Sequence, residues 1–197
     1  AYGDGVGSAV AAVAVAAGGG AYLARSDASS VYRIGVPGVV DPSWSLTANA
    51  PIRALAIDSA GRIYVGGEFT QVAGSARRGL ARAFAQAPAT VDAGWDGNVL
   101  GLQVDGGFVL AHGSVSSPWT HQAGVARFSL DTALPPPEAA RMRIGIDLAP
   151  QGASAVERVL VAPDGDLVVV GAFTMTARRV VPGIVRIDAQ GNERADW

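Results

Sequence analysis

A pattern spelled out from Pro51 to Trp95, and written again less cleanly three more times, constrains this chain more than any other feature. The stretch PIRALAIDSAGRIYVGGEFTQVAGSARRGLARAFAQAPATVDAGW holds an apolar run (Ile52, Leu55, Ile57), a turn from Asp58 to Gly61, and a second run (Ile63, Val65) leading into Gly66-Gly67-Glu68-Phe69-Thr70. A polar loop follows, then Gly79-Leu80-Ala81-Arg82-Ala83-Phe84 and a closing Asp92-Ala93-Gly94-Trp95. Four short β runs bounded by turn residues within about 45 positions is the size and content of one propeller blade. A lone sheet of this kind is apolar on both faces and must be covered on both by neighbours.

The other copies follow from alignment to this one. In the first, Val10 to Val15 stands for Ile52 to Ile57, Gly18-Gly19-Gly20 for the turn and Tyr22-Leu23 for Tyr64-Val65. In the third, Val99 to Val104, Asp105-Gly106-Gly107 and Phe108 to Leu110 make the first hairpin, with Ala111-His112-Gly113 in place of the glycine pair. In the fourth, Val156 to Val161, the turn Pro163 to Asp166, Leu167 to Val170 and Gly171-Ala172-Phe173-Thr174 repeat the best copy nearly position for position. Asp-Gly between alternating apolar residues is a strong hairpin signal. The third run is the most regular mark, with one arginine per unit, at Arg33, Arg82, Arg127 and Arg186. The third unit carries an insertion of about ten residues before the fourth, as expected of a loop on one face of a repeat array. The reading is all-β, one repeat domain over 1–197 with units at 9–44, 51–95, 98–148 and 155–197, forming a propeller, a propeller-like array or part of a larger propeller. Tyr2 precedes Val10 by the same eight positions as Trp44 precedes Ile52, and Trp197 closes the last unit. The chain is therefore expected to be a phase-matched piece of a longer array.

Composition narrows the chemistry. Gly (26) and Pro (11) without a collagen period suit many turns between short strands. A formal charge of −2 gives no electrostatic ground for a nucleic-acid partner. Zero Cys removes disulfides, thiolate catalysis and Cys-ligated metals together. The run Ser8 to Ala24 is broken by glycines and too short to cross a bilayer as a helix, so no membrane insertion is expected from it.

The combination of an apolar strand, a D-G or A-G turn, I-x-V-G-G-x-F-T at Ile63 to Thr70, G-L-A-R at Gly79 to Arg82 and D-x-x-W at Asp92 to Trp95 resembles the delta-60 repeats, a bacterial β-propeller family. The resemblance implies a scaffold or binding role in secreted, surface or phage structural proteins, with protein partners or further repeats of the same polypeptide, and it carries no catalytic motif.

Among candidate groups, the four strand arginines have two readings. They line a common channel and bind an anion, or they are sandwiched between blades and bonded to an Asp or to backbone carbonyls, with Asp41 and Asp92 the first partners to consider. The loops after each second strand are expected on one rim, where Arg77, Arg78, Arg178 and Arg179 join Trp119 and His121; guanidinium beside an aromatic suits an acidic glycan or a carboxylate-bearing partner. His112 and His121 lack metal-ligand spacing, and Asp164-Gly165-Asp166 is a turn without the EF-hand series, so neither a metal nor a cofactor is expected. G-x-S-x-G is absent and nothing nominates a carboxylate pair. The expected function is a non-enzymatic interaction module of an extracellular, cell-surface or virion protein; a carbohydrate- or receptor-binding module, as in a phage tail or adhesin, and a propeller enzyme with a channel acidic site are the alternatives.

Overall fold

In the computed structural model the described residues are 9–26, 29–36, 38–84, 87–92, 97–115, 125–129, 141–142, 156–171, 183–188, 192–195 and 197; of these, the side chains of 84, 87–92, 114–115, 126, 128–129 and 141–142 are left aside. Every regular element among them is a β-strand. The first sheet is a meander of β1 (Val10–Val15), β2 (Ala21–Arg25), β3 (Ser30–Ile34) and β4 (Val40–Thr47). The second takes β5 (Ile52–Ile57), β6 (Arg62–Gly67), β9 (Leu80–Phe84) and β10 (Ala87–Asp92), with a two-stranded hairpin, β7 (Gln71–Val72) and β8 (Ser75–Ala76), inserted between its second and third strands. The third is β11 (Gly97–Asp105), β12 (Phe108–Val115), β13 (Val125–Ser129) and β14 (Arg141–Met142). The fourth shows β15 (Val156–Val161), β16 (Leu167–Gly171) and β17 (Ile184–Ile187), and Glu193 adds a single antiparallel bridge to Ile187. All neighbouring strands within a sheet are antiparallel. The first strands adjoin one another from sheet to sheet, β1 against β5 and β5 against β11, as the innermost strands of propeller blades do.

Two local devices recur in every blade. The turn from first to second strand contains a glycine with positive φ (Gly19, Gly61, Gly106, Gly165), a conformation only glycine adopts without strain. The start of each first strand carries a register shift at Val10/Ala12, Ile52/Ala54, Val99/Gly101 and Val156/Arg158. The extra residues are therefore Ala11, Arg53, Leu100 and Glu157, and a bulge there bends and twists the strand where it meets the loop rim. Their unlike side chains explain why no sequence signal announced them.

Pairing register fixes which side chains share a face, because directly opposed residues point the same way. In each blade the third-strand arginine stands opposite a second-strand residue: Arg33 opposite Tyr22, Arg82 opposite Tyr64, Arg127 opposite Leu110, Arg186 opposite Val168. This face of each blade, called forward here, meets the opposite, rear face of the next. Tyr22, Val31, Trp44 and Leu46 of the first blade pack with Leu55, Ile63 and Val65 of the second. Ala56 and Tyr64 of the second pack with Leu102, Val104 and Val109 of the third. Leu110 and Val125 of the third pack with Val159, Leu167 and Val169 of the fourth. The core is thus three joints of one polarity rather than a single centre.

Gly66, on the forward face of the second blade, leaves room for the third. A Cβ built there would lie 2.4 Å from Val99 Cγ1 and 3.2 Å from Leu102 Cδ1. In the third blade the same position holds His112, and the space is kept elsewhere: its ring lies over Gly101, where a Cβ would come within 2.0 Å of Nε2. The glycine has moved to the facing strand.

Candidate functional site

The ionic groups of the described region lie mostly at the turns from first to second strand and on the third strands of the blades. Asp58 opens the turn before β6 and its side chain is buried; Oδ1 accepts from the backbone N–H groups of Ala60 and Arg62 at 2.9 Å each, and Oδ2 from Arg62 Nε at 2.5 Å and the Tyr64 hydroxyl at 3.0 Å. Burial raises the Tyr64 hydroxyl to about 12, with the Asp58 charge adding to it and Arg62 opposing. In the fourth blade, buried Asp166 ends the equivalent turn. Arg186 Nε and Arg194 Nε donate to its Oδ2 at 2.9 and 3.0 Å, and Arg186 Nη2 also reaches Asp164. The bond from Arg194 and, behind it, that from Arg186 hold the Asp166 carboxyl below the ordinary range against the opposing pull of burial. In the third blade Arg127 lies 3.8 Å from Asp105 and stacks over Phe108 at 3.9 Å. In the first, where Ala16 stands at the turn position of Asp58, Arg33 pairs with Asp41 of β4 at 3.6 Å, and the Ser43 hydroxyl and amide bonds to Asp41 lower its carboxyl further than Arg33 does.

The four repeat arginines therefore sit on third strands, two places out from the inner strand of each sheet, and not on a shared channel wall. Asp41 stands beside Arg33, as the sequence suggested. Asp92 lies on β10, but its side chain is outside the described set. What sequence reasoning missed is the second use of the hairpin carboxylates: Asp58, Asp105, Asp164 and Asp166 shape turns and also clamp arginines. The available signal was a turn carboxylate accompanying the third-strand arginine in the third and fourth units; in the second, Asp58 holds Arg62 at the start of β6 instead.

The rim is seen best in the second blade. Its loop is a built element: the β7–β8 hairpin is tied to the end of β4 by a bridge between Ala48 and Val72, and Asn49 Oδ1 accepts from the Thr70 and Gln71 amides at 2.9 Å each. Phe69 and Val72 are buried beneath it. Arg77 and Arg78 follow β8; the Arg77 amide donates to Thr70 O at 2.9 Å and Arg78 is exposed. Nearby, Arg53 on the bulge pairs with Glu68 at 3.0 Å. Trp119, His121, Arg178 and Arg179, the other members of the expected rim cluster, lie outside the described residues. His112 is a joint residue: Nδ1 donates to Val156 O of the next blade at 3.1 Å, and burial lowers its pKa.

Comparison with known proteins agrees with this architecture. The profile of a domain of unknown function described as a β-propeller (DUF5122) matches residues 61–85 and 162–192, within the second and fourth blades. No curated protein sequence matches the chain. Among solved structures, virginiamycin B lyase from Staphylococcus aureus superposes with a TM-score of 0.60 at 13% identity, over 94% of this chain and 54% of that one. PorZ of Porphyromonas gingivalis, a bacterial surface component of the type-IX secretion system, superposes with a TM-score of 0.59 at 12% identity, over 89% of this chain and 24% of that one. The chain thus spans about half the length of the first and a quarter of the second. At such identities the likeness is one of fold, since unrelated functions share a propeller framework.

Proposed function

We propose that the chain, whose β-propeller architecture the fold and the profile match establish, is a non-enzymatic delta-60-type scaffold and interaction module within a larger extracellular or virion-surface protein. One observation carries the reading. Asp41, Asp58, Asp105, Asp164 and Asp166 are each engaged with an arginine of their own blade, so these carboxylates act as clamps that make the blades rigid. A frame of that kind holds loops in register, and the β7–β8 hairpin pinned by Asn49 supplies one of them. The test is surface labelling with an antibody raised to the chain. Intact producing cells or purified particles should label; labelling only after lysis would overturn the setting.

The hairpin also favours a second reading, in which the rim holding Arg77 and Arg78 binds an acidic glycan or carboxylate-bearing receptor. On an array of sialylated, uronic-acid and sulfated glycans, Arg77→Glu/Arg78→Glu should lose binding that the native chain shows. No binding by the folded native chain would remove this reading and leave the first intact.

A further inference from the structure

One position in each blade keeps its backbone and changes its chemistry. At the rim end of the innermost strand, the residue before the bulge is apolar and fully buried in three blades: Ile52, Val99 and Val156 are each 0% exposed. The bulge residue that follows is Arg53, Leu100 or Glu157, and all three are exposed. Arg53 and Leu100 belong to blades with a neighbour on either side, so their exposure is not that of a terminal face. A bulge takes its residue out of the strand ladder and re-aims the side chain, which frees this position from packing.

The three bulge residues are held in fixed relation to one another. Gly66, opposite Ala54 and so beside Arg53, lies against Val99, the residue before Leu100. His112, opposite Gly101 and so beside Leu100, bonds the carbonyl of Val156, the residue before Glu157, at 3.1 Å. The innermost strands β5, β11 and β15 approach one another within 8 Å. Arg53, Leu100 and Glu157 therefore follow one another as an arc along the inner edge of the loop rim, a cation, an apolar side chain and an anion. The cation is oriented in advance: Arg53 Nε donates to Glu68 Oε1 at 3.0 Å, and its two Nη groups make no further bond among the described residues. A guanidinium held in this way offers a carboxylate two parallel bonds.

We infer that this arc docks an extended segment of a partner protein that carries an acidic, an apolar and a basic residue at alternate positions. In a strand, residues i, i+2 and i+4 line one face at steps of about 6.6 Å, which suits the separation of neighbouring innermost strands. Laid across the arc, such a segment sets its acid on Arg53, its apolar side chain on Leu100 and its base on Glu157. The inference rests on the interaction-module reading and names a partner for it; it uses the inner edge of the rim and neither Arg77 nor Arg78.

The experiment is an array of seven-residue peptides probed with the 197-residue chain, with the hits measured by fluorescence anisotropy. Peptides with acidic, apolar and basic residues at alternate positions should bind in either chain direction, and the same three residues placed consecutively should bind about tenfold more weakly. Glu157→Arg lies at an exposed position, so it should keep the native melting temperature while shifting preference about tenfold towards peptides with an acid at both charged positions. Leu100→Ala should weaken both sets. A folded chain that binds no peptide of the array would overturn the docking site, and the surface-labelling result would still decide the module reading by itself. Peptide binding that Glu157→Arg leaves unchanged would overturn the assignment to the arc. Binding of acidic glycans without peptides would overturn it in favour of the Arg77 and Arg78 rim.

Discussion

Removing the Asp58 carboxylate should unlatch the second blade. Asp58→Ala deletes the acceptor of four bonds at once. The two turn amides lie at an exposed tip and regain water, so their loss costs little. The Tyr64 hydroxyl is buried against the third blade, and stranding it costs about 1–3 kcal/mol. The Arg62 guanidinium is mostly covered, and breaking a pair of this burial by removing one partner costs about 3–5 kcal/mol in the fully buried limit. Since Arg62 keeps some access to water, the two effects together should come to about 3–4 kcal/mol, a fall of roughly 6–16 °C in melting temperature for a domain of this size. Asp58→Asn keeps one oxygen for the turn amides but turns an NH2 towards Arg62, and should recover only the smaller part. Urea denaturation followed by circular dichroism measures both. Asp41→Ala is the control: its carboxylate is solvent-facing and bonded to Ser43, and the loss should be much smaller. A loss below about 1 kcal/mol for Asp58→Ala would refute the reasoning, because a donor stranded in the joint cannot cost so little.

Tyr64 predicts an alkaline limit. Its folded pKa of about 12 exceeds the ordinary 10.0, so the neutral form is favoured in the folded chain. The resulting stability, on the order of 3 kcal/mol, is complete below pH 10 and lost as pH rises towards 12; Tyr64→Phe should flatten the decline in a denaturant–pH series. At the next joint, Gly101→Ala drives a Cβ into the His112 ring and should cost about 1–3 kcal/mol, part of which Gly101→Ala/His112→Ala should restore, as read by thermal melting.

The blades were legible in the sequence because their turns are chemically explicit: Asp58 to Gly61 and Pro163 to Asp166 can hardly be anything but hairpins, and alternation around them sets the strands. The polar loop after Thr70 concealed the β7–β8 hairpin, whose two-residue strands lie below any periodicity signal. The polarity of stacking was also hidden, since both faces of each sheet are apolar and only register shows that Tyr64 looks forward and Val65 back. For the site, arginine recurrence was readable, but its partners were not. In the third and fourth blades they come from turns whose Asp residues already had a local explanation, and in the first, lacking such an Asp, from β4; in the second the turn residue Asp58 holds Arg62 of β6 instead. His112 in a glycine position looked like a defect of the third unit, and became intelligible only with Gly101 opposite.

The claim beneath all of this is that successive blades pack forward face to rear face, and the contact of Gly66 with Val99 tests it within a single chain. In a double-mutant cycle, Gly66→Ala should cost about 1–3 kcal/mol with Val99 present, because the new methyl meets Val99 Cγ1 at 2.4 Å. In a Val99→Ala background most of that cost should vanish, giving a coupling energy of about 1 kcal/mol or more. Costs that simply add, within about 0.3–0.5 kcal/mol, would mean that the second and third blades do not meet there, and would contradict the stacked array.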